Sequence, residues 1–288
     1  MSVSDLTHWD VVLLLAFNSL ASGPRLASFI GFVSGSRLLT ATIFIAVYWY
    51  FWFDTGSRDS AEARRVVLAG IVAGVLAVIV ARLLASVLPY HMRPLVDPPP
   101  GFRMPANIGD YEAWNSFPSD NAAFVFAMSL VLYRFAPRVA VALTAYGFAV
   151  VCVPRITLGI HYPSDILLGA IIGIFVAWIC ERYVRGKAVD WLFGFSQRHA
   201  GWFYCLAFVV TLELAEKFDD VRSAAREVSS ILHRSTSVAM IIVAVSFGGT
   251  LAVASVVRAL AVKRAKSRTW KSRDASGNDL TPDRNVRH

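Results

Sequence analysis

The sequence predicts an all-α fold: a polytopic transmembrane helical bundle of about six to seven spanning helices. Three observations predict it. Of the 288 residues 56% are hydrophobic and only 17% are charged, where a soluble domain carries roughly a quarter charged residues. Mean hydropathy is +0.54. The apolar residues are also gathered into runs rather than scattered. A segment crossing lipid must satisfy its own backbone polar groups, which restricts it to a helix or a closed barrel, and a core of about 30 Å takes about 20 apolar residues in helix.

Taken in order, Met1 to Asp10 lacks the basic stretch and small-residue cleavage site of a secretory leader. The apolar segment Val11 to Ile30 is interrupted at Ser22-Gly23-Pro24, and proline breaks helical continuity. Each half is too short to span, so residues 1–36 read as interfacial or re-entrant helices. Spanning candidates then run from Leu38 to Phe53, Val66 to Leu88, Ala122 to Phe135, Val139 to Val153, Ile166 to Tyr183 and Trp202 to Ala215, with a further long run from Val238 to Val262. Between the last two, Lys217 to Arg234 alternates charged and apolar residues, as an amphipathic surface helix would. Residues 263–288 are rich in Lys, Arg, Ser, Asp and Asn and read as a basic disordered tail. This divides the chain into N-terminal helices (1–36), a membrane core (37–185), additional transmembrane helices (186–262) and the tail.

Charge and cysteine usage narrow the class. The net charge of +8 fits an anionic membrane surface, and in so apolar a chain it does not argue for nucleic acid. Cys152, Cys180 and Cys205 each lie in an apolar run, so there is neither a disulfide framework nor a zinc spacing. Lys and Arg in short loops mark the cytoplasmic side. Arg64-Arg65, Arg134, Arg138, Arg182, Arg185, Lys187, Arg198 and the tail fall on one side when the spans are counted. The Pro89–Pro118 loop and the Pro154–Asp165 turn fall on the other. The expectation is a multi-pass protein of a bacterial inner membrane with its tail in the cytoplasm and those loops outside.

Three outward patches carry the chemistry. The first is Tyr90-His91-Met92-Arg93-Pro94 and the second Phe117-Pro118-Ser119-Asp120-Asn121. In the second, Ser119 or Asp120 serves as a helix N-cap and the free N–H groups of the helix start favour an anion. The third is Arg155-x5-His161-Tyr162-Pro163-Ser164-Asp165. Arginine presents a planar fork of donors suited to phosphate oxygens, which makes Arg93 and Arg155 natural clamps. A neutral imidazole can attack phosphorus when its other nitrogen donates to a carboxylate, and Asp165 can reach His161 if a helix opens at Pro163. Asp97, Asp110 and Glu112 read as solvated loop charges, with no metal-ligand spacing. Tyr90, Tyr111 and Trp114 read as interfacial aromatics.

Together these patches resemble the tripartite signature of the type-2 phosphatidic acid phosphatase and vanadium haloperoxidase superfamily, in its membrane-bound lipid phosphatase branch: K-x6-R-P, P-S-G-H and S-R-x5-H-x3-D. The resemblance covers roughly Leu38 to Tyr183. It implies His161 as a nucleophile that becomes phosphohistidine, Asp165 as its orienting partner, and Arg93, Ser119 and Arg155 around the phosphate; Asp120 and Arg82 are further candidates for phosphate binding. It also implies a phosphorylated lipid or prenyl diphosphate as substrate, with no cofactor and no metal. Pro154 stands where the signature has Ser, and two further departures bear on activity. Ser86 stands where the family has Lys, with Arg82 one helical turn earlier on the same face. Asn121 stands where the family has the histidine that protonates the leaving group, and an amide delivers no proton. Losing a general acid costs about 10²- to 10⁴-fold, less when the leaving group is already a weak base. The departure therefore points to a diphosphate substrate, or to His91 as a substitute acid. Transfer of the phosphate to another acceptor, or an impaired relative that binds anionic lipid, stand as alternatives to hydrolysis. A transporter fits less well, because the spans hold few midplane ionisable groups.

Overall fold

The computed structural model describes residues 3–21, 23–54, 60–105, 115–184 and 186–216, and every regular element among them is helical. The amphipathic segment Lys217–Arg234, the run Val238–Val262, the tail, and loop residues Asp110, Tyr111, Glu112 and Trp114 lie outside the described residues.

Helices α1 (Val3–Ser19) and α2 (Pro24–Gly35) meet at an angle of 112° across the Gly23-Pro24 break. Pro24 sits in the first turn of α2, where its missing N–H costs nothing. A wide π turn over Leu38–Thr42 leads into α3 (Ile43–Phe53). Helix α4 (Ser60–Val87) is the longest of the described elements. It is followed by α5 (Asp120–Val131), α6 (Pro137–Tyr146) and α7 (Val153–Thr157), the last two joined through a π segment at Gly147–Cys152. Helix α8 (Pro163–Ile179) runs on through Cys180–Val184, and α9 (Lys187–Arg198) and α10 (Ala200–Ala215) complete the series.

Helix α5 is the hub, packed between α4 and α8. Small residues make this possible. On α4, Ala69, Ala73, Ala77 and Ala81 recur every four residues and are fully buried, forming the thin stripe that lets helices approach closely in lipid. On α8, a Cβ at Gly169 would lie 2.3 Å from the Ser119 carbonyl oxygen, and one at Gly173 would lie 2.4 Å from that of Ala123. Inside the bundle the buried Tyr48 hydroxyl donates to the Met128 carbonyl at 2.6 Å. Phe44 and Phe124 meet edge to face at its centre.

Among the described residues three helical stretches are long and apolar enough to cross a membrane: α4, the α6–α7 stretch Pro137–Thr157, and α8 with its extension to Tyr183. The bent α1–α2 pair would make a fourth. The described residues thus give an all-helical architecture with three to four candidate spans, against the six to seven expected. The difference lies in helix length. Apolarity continues from Ala122 to Phe135, but α5 has 12 residues and so rises about 18 Å before the chain turns ahead of Pro137. Leu38–Phe53 and α10 are likewise apolar but shorter than a full span, and Val238–Val262 falls outside the described residues.

Candidate active site

The end of α4, the start of α5, the start of α8 and the turn after α7 meet at one end of the bundle. The loop after α4 is fastened there by its backbone. Leu95 N–H donates to Gly159 O at 2.9 Å and Ser116 N–H to His91 O at 3.0 Å. Gly159 has φ +68° and packs so closely under the Phe102 ring that a Cβ would lie 2.4 Å from it. Only glycine serves well at that turn. Asn115 buckles the second patch to the first, accepting from the backbone N–H of His91 and Phe117 and donating to the carbonyls of Ala85 and Pro89.

Asp165 is the centre of the arrangement and is fully buried. Its Oδ1 lies 3.2 Å from His91 Nδ1. Its Oδ2 accepts from the Tyr162 backbone N–H at 2.8 Å and from the Ser116 hydroxyl, and lies 3.4 Å from His161 Nδ1. The nearer acceptor for His161 Nδ1 is the Ser116 carbonyl, at 2.9 Å. A carbonyl oxygen can only accept, so Nδ1 of His161 carries the proton and Nε2 keeps its lone pair. This is the tautomer a nucleophile needs.

The two imidazoles are tuned in opposite directions. Burial is the largest influence on His161 and lowers it from the ordinary histidine value; the bond to Asp165 opposes this, and the nearby charges of Arg93 and Arg155 assist it. His91, half-buried, is raised chiefly by its bond to Asp165, against the effect of its partial burial. Its ring lies against that of Tyr162, tilted by 30° with 4.8 Å between centroids. One carboxylate therefore sits between an imidazole whose neutral form is favoured and one whose charged form is favoured.

The arginines of the first and third patches border His161. Arg93 Nη1 donates to Ile160 O at 2.7 Å, and buried Arg155 donates from Nη1 to Val151 O at 3.2 Å. The Arg155 carbonyl accepts from the N–H of Ile160 and His161, which folds the histidine back over the arginine. In the second patch Ser119, not Asp120, is the N-cap of α5: its Oγ accepts from Ala122 N–H at 3.4 Å, and its own N–H donates to Asp165 O at 3.1 Å.

Asp120 instead braces its neighbours. Oδ2 accepts from Arg82 Nε at 3.1 Å and Oδ1 from Asn121 Nδ2 at 2.9 Å. An ionised carboxylate has no donor to offer a phosphate, so this side chain bears on the site through Arg82 and Asn121. Ser86, at the family's Lys position, turns back to donate to Leu83 O, and Arg82 is the cation that reaches the second patch. The Asp120 contact also fixes which way the Asn121 amide faces, because the flipped amide would set two oxygens against each other. Its Oδ1 is buried with no partner among the described residues.

Sequence reasoning missed Ser116 and Asn115. The only signal was a pair of polar residues directly ahead of Phe117-Pro118, a position that spacing rules do not weigh.

Residues 72–188 match the family model described as the PAP2 superfamily. This part of the chain is thus similar to the PAP2 superfamily. The matched region contains Arg82, all three patches and Asp165, and leaves out α1 to α3 and α10. The bacitracin transport permease protein BcrC of Bacillus licheniformis is 27% identical over 136 residues, 46% of this chain. The match spans 62% of that relative's length. Among solved structures, that of Aquifex aeolicus LpxE aligns with 22% identity and a TM-score of 0.42, over 59% of this chain and 93% of that one.

Proposed function

We propose that this PAP2-like protein is a membrane lipid phosphatase that hydrolyses a monophosphate or diphosphate of a lipid or prenyl substrate through phosphohistidine at the outer face of a bacterial inner membrane. The observation that carries the reading is Asp165, buried between His161 and His91, with His161 held in the tautomer that leaves Nε2 nucleophilic. In the first step Nε2 bonds to phosphorus, and the bond from phosphorus to the leaving oxygen breaks. Arg93, Arg155 and the Ser119 hydroxyl balance the phosphate charge. In the second, water attacks the phosphohistidine, the P–N bond breaks, and inorganic phosphate leaves.

The leaving oxygen needs a proton when it departs as an alkoxide and far less when it departs as a phosphate. Asn121 supplies none. His91, whose charged form Asp165 favours, is the imidazole that can, and it recovers the proton when water attacks. Turnover of farnesyl diphosphate and of a phosphatidic acid, each by wild type and His91→Ala, tests this. The diphosphate is expected to react faster, and the variant to lose about 10²-fold on the monophosphate. Equal turnover with an indifferent variant would remove both the diphosphate preference and the acid role of His91. The same site could pass phosphate to a lipid acceptor; release of free phosphate with no acceptor present counts against an obligate transferase. The relative's name speaks of transport, but the ionisable groups described here gather at helix ends rather than along a mid-membrane path.

A further inference from the structure

We propose that Asp10, on helix α1 and outside the matched region, is a positioning residue of the active site that fixes the first turn of α8 and through it the Asp165 carboxylate. The inference rests on the catalytic reading of Asp165 given above.

Helix α8 opens at Pro163, which has no N–H, and no side chain of the preceding loop caps the next donor. That donor, the Ser164 N–H, is one of the orphan groups every helix start must satisfy. Asp10 satisfies it: Oδ1 accepts from Ser164 N–H at 2.9 Å, and Oδ2 accepts from the Ser164 hydroxyl. Both oxygens are thus spent on the residue next to Asp165, and a carboxylate at a helix N-terminus is favoured electrostatically.

The contact belongs to a seam. Asp10, Leu14 and Asn18 recur at four-residue intervals and share one face of α1. Leu14 is fully buried in a small cluster with Cys152, Ile156 and Ile166. Asn18 donates from Nδ2 to Thr157 O and Arg103 O, both at 3.0 Å, and accepts from Arg103 N–H at 2.8 Å. One helix face therefore holds α7, α8 and the loop after α4, the three pieces that carry Arg155, Asp165 and Arg93. An acidic residue within an apolar helix is costly unless it is paired and useful. Here it is paired on the helix turn that carries Asp165, where a small displacement would move that carboxylate relative to His161 and His91.

The test uses the full purified chain, with farnesyl diphosphate as substrate and His161→Ala assayed alongside. Asp10→Ala is expected to lower kcat by about ten- to a hundredfold and to change KM by less than about threefold. Asp10→Asn can still accept from Ser164 N–H and donate to Ser164 Oγ, and is expected to recover most of that loss. If Asp10→Ala fails to purify in monodisperse form, Ser164→Ala, which removes one of the two bonds, is expected to lower kcat several-fold with KM kept. Unchanged kcat in Asp10→Ala, a loss confined to KM, or no recovery in Asp10→Asn would overturn the proposal. If His161→Ala remains as active as wild type, the catalytic reading itself fails and the proposal falls with it.

Discussion

At the residue scale, Asp165 holds a balance that can be read from outside as a pH profile. The reactive form requires neutral His161 and protonated His91. His161 lies below the ordinary value of 6.5 because it is buried near Arg93 and Arg155, so it stays neutral to lower pH than a free histidine. His91 lies above 6.5 because Asp165, and more weakly Asp10, face it, so it stays charged to higher pH. We expect kcat/KM for a phosphatidic acid to form a plateau whose acid limb falls below 6.5 and whose alkaline limb falls above it. In His91→Gln the alkaline limb should vanish along with most of the rate, and an unchanged limb would assign it elsewhere. Asp165→Asn keeps the shape but cannot accept from every donor around it; kcat should fall about 10²- to 10⁴-fold, as when the orienting carboxylate of a triad is replaced.

Much of this site was legible at the same scale. The spacing from Arg155 to His161 to Asp165 is local, and one turn opening a helix at Pro163 converts it directly into geometry. Ser116 was not legible, because its carbonyl and hydroxyl reach His161 and Asp165 only once two loops distant in sequence are buckled together by Asn115. The surroundings of Asp120 were not legible either: one of its oxygens accepts from Arg82, 38 residues away, and the other from Asn121.

At the scale of elements, the α5–α8 contact sets the site, since Ser119 and Asp165 sit at the facing ends of the two helices. Gly169→Ala places a methyl 2.3 Å from the Ser119 carbonyl oxygen and 2.9 Å from Ala122 Cβ. Overpacking of this kind costs about 1–3 kcal/mol, and thermal unfolding in detergent should show it together with a loss of activity. Gly31→Ala, where a Cβ meets nothing within 4 Å, should leave both intact. Helix existence was easy to read from apolar runs, whereas helix length was not. The α5 run stays apolar through Leu132, past the last helical residue Val131, and exposed Arg134 marks the turn only after the helix has ended.

At the scale of the whole molecule, the proposed orientation puts Met92 outside and Trp191 inside. Both are exposed, and Trp191 belongs to the far end of the bundle, where Arg65 of α4 pairs with Asp190 of α9 at 2.8 Å. In a Cys205→Ser background, which removes the exposed cysteine and leaves the buried Cys152 and Cys180, a membrane-impermeant maleimide should label Met92→Cys in intact cells. It should reach Trp191→Cys only after permeabilisation, and the reverse pattern would turn the site inward. The most direct test of the catalytic assignment is phosphate release from a panel of phosphorylated lipids and prenyl diphosphates by purified wild type and His161→Ala. Wild type is expected to release phosphate from at least one member and His161→Ala only at background; equal release by both would contradict the assignment.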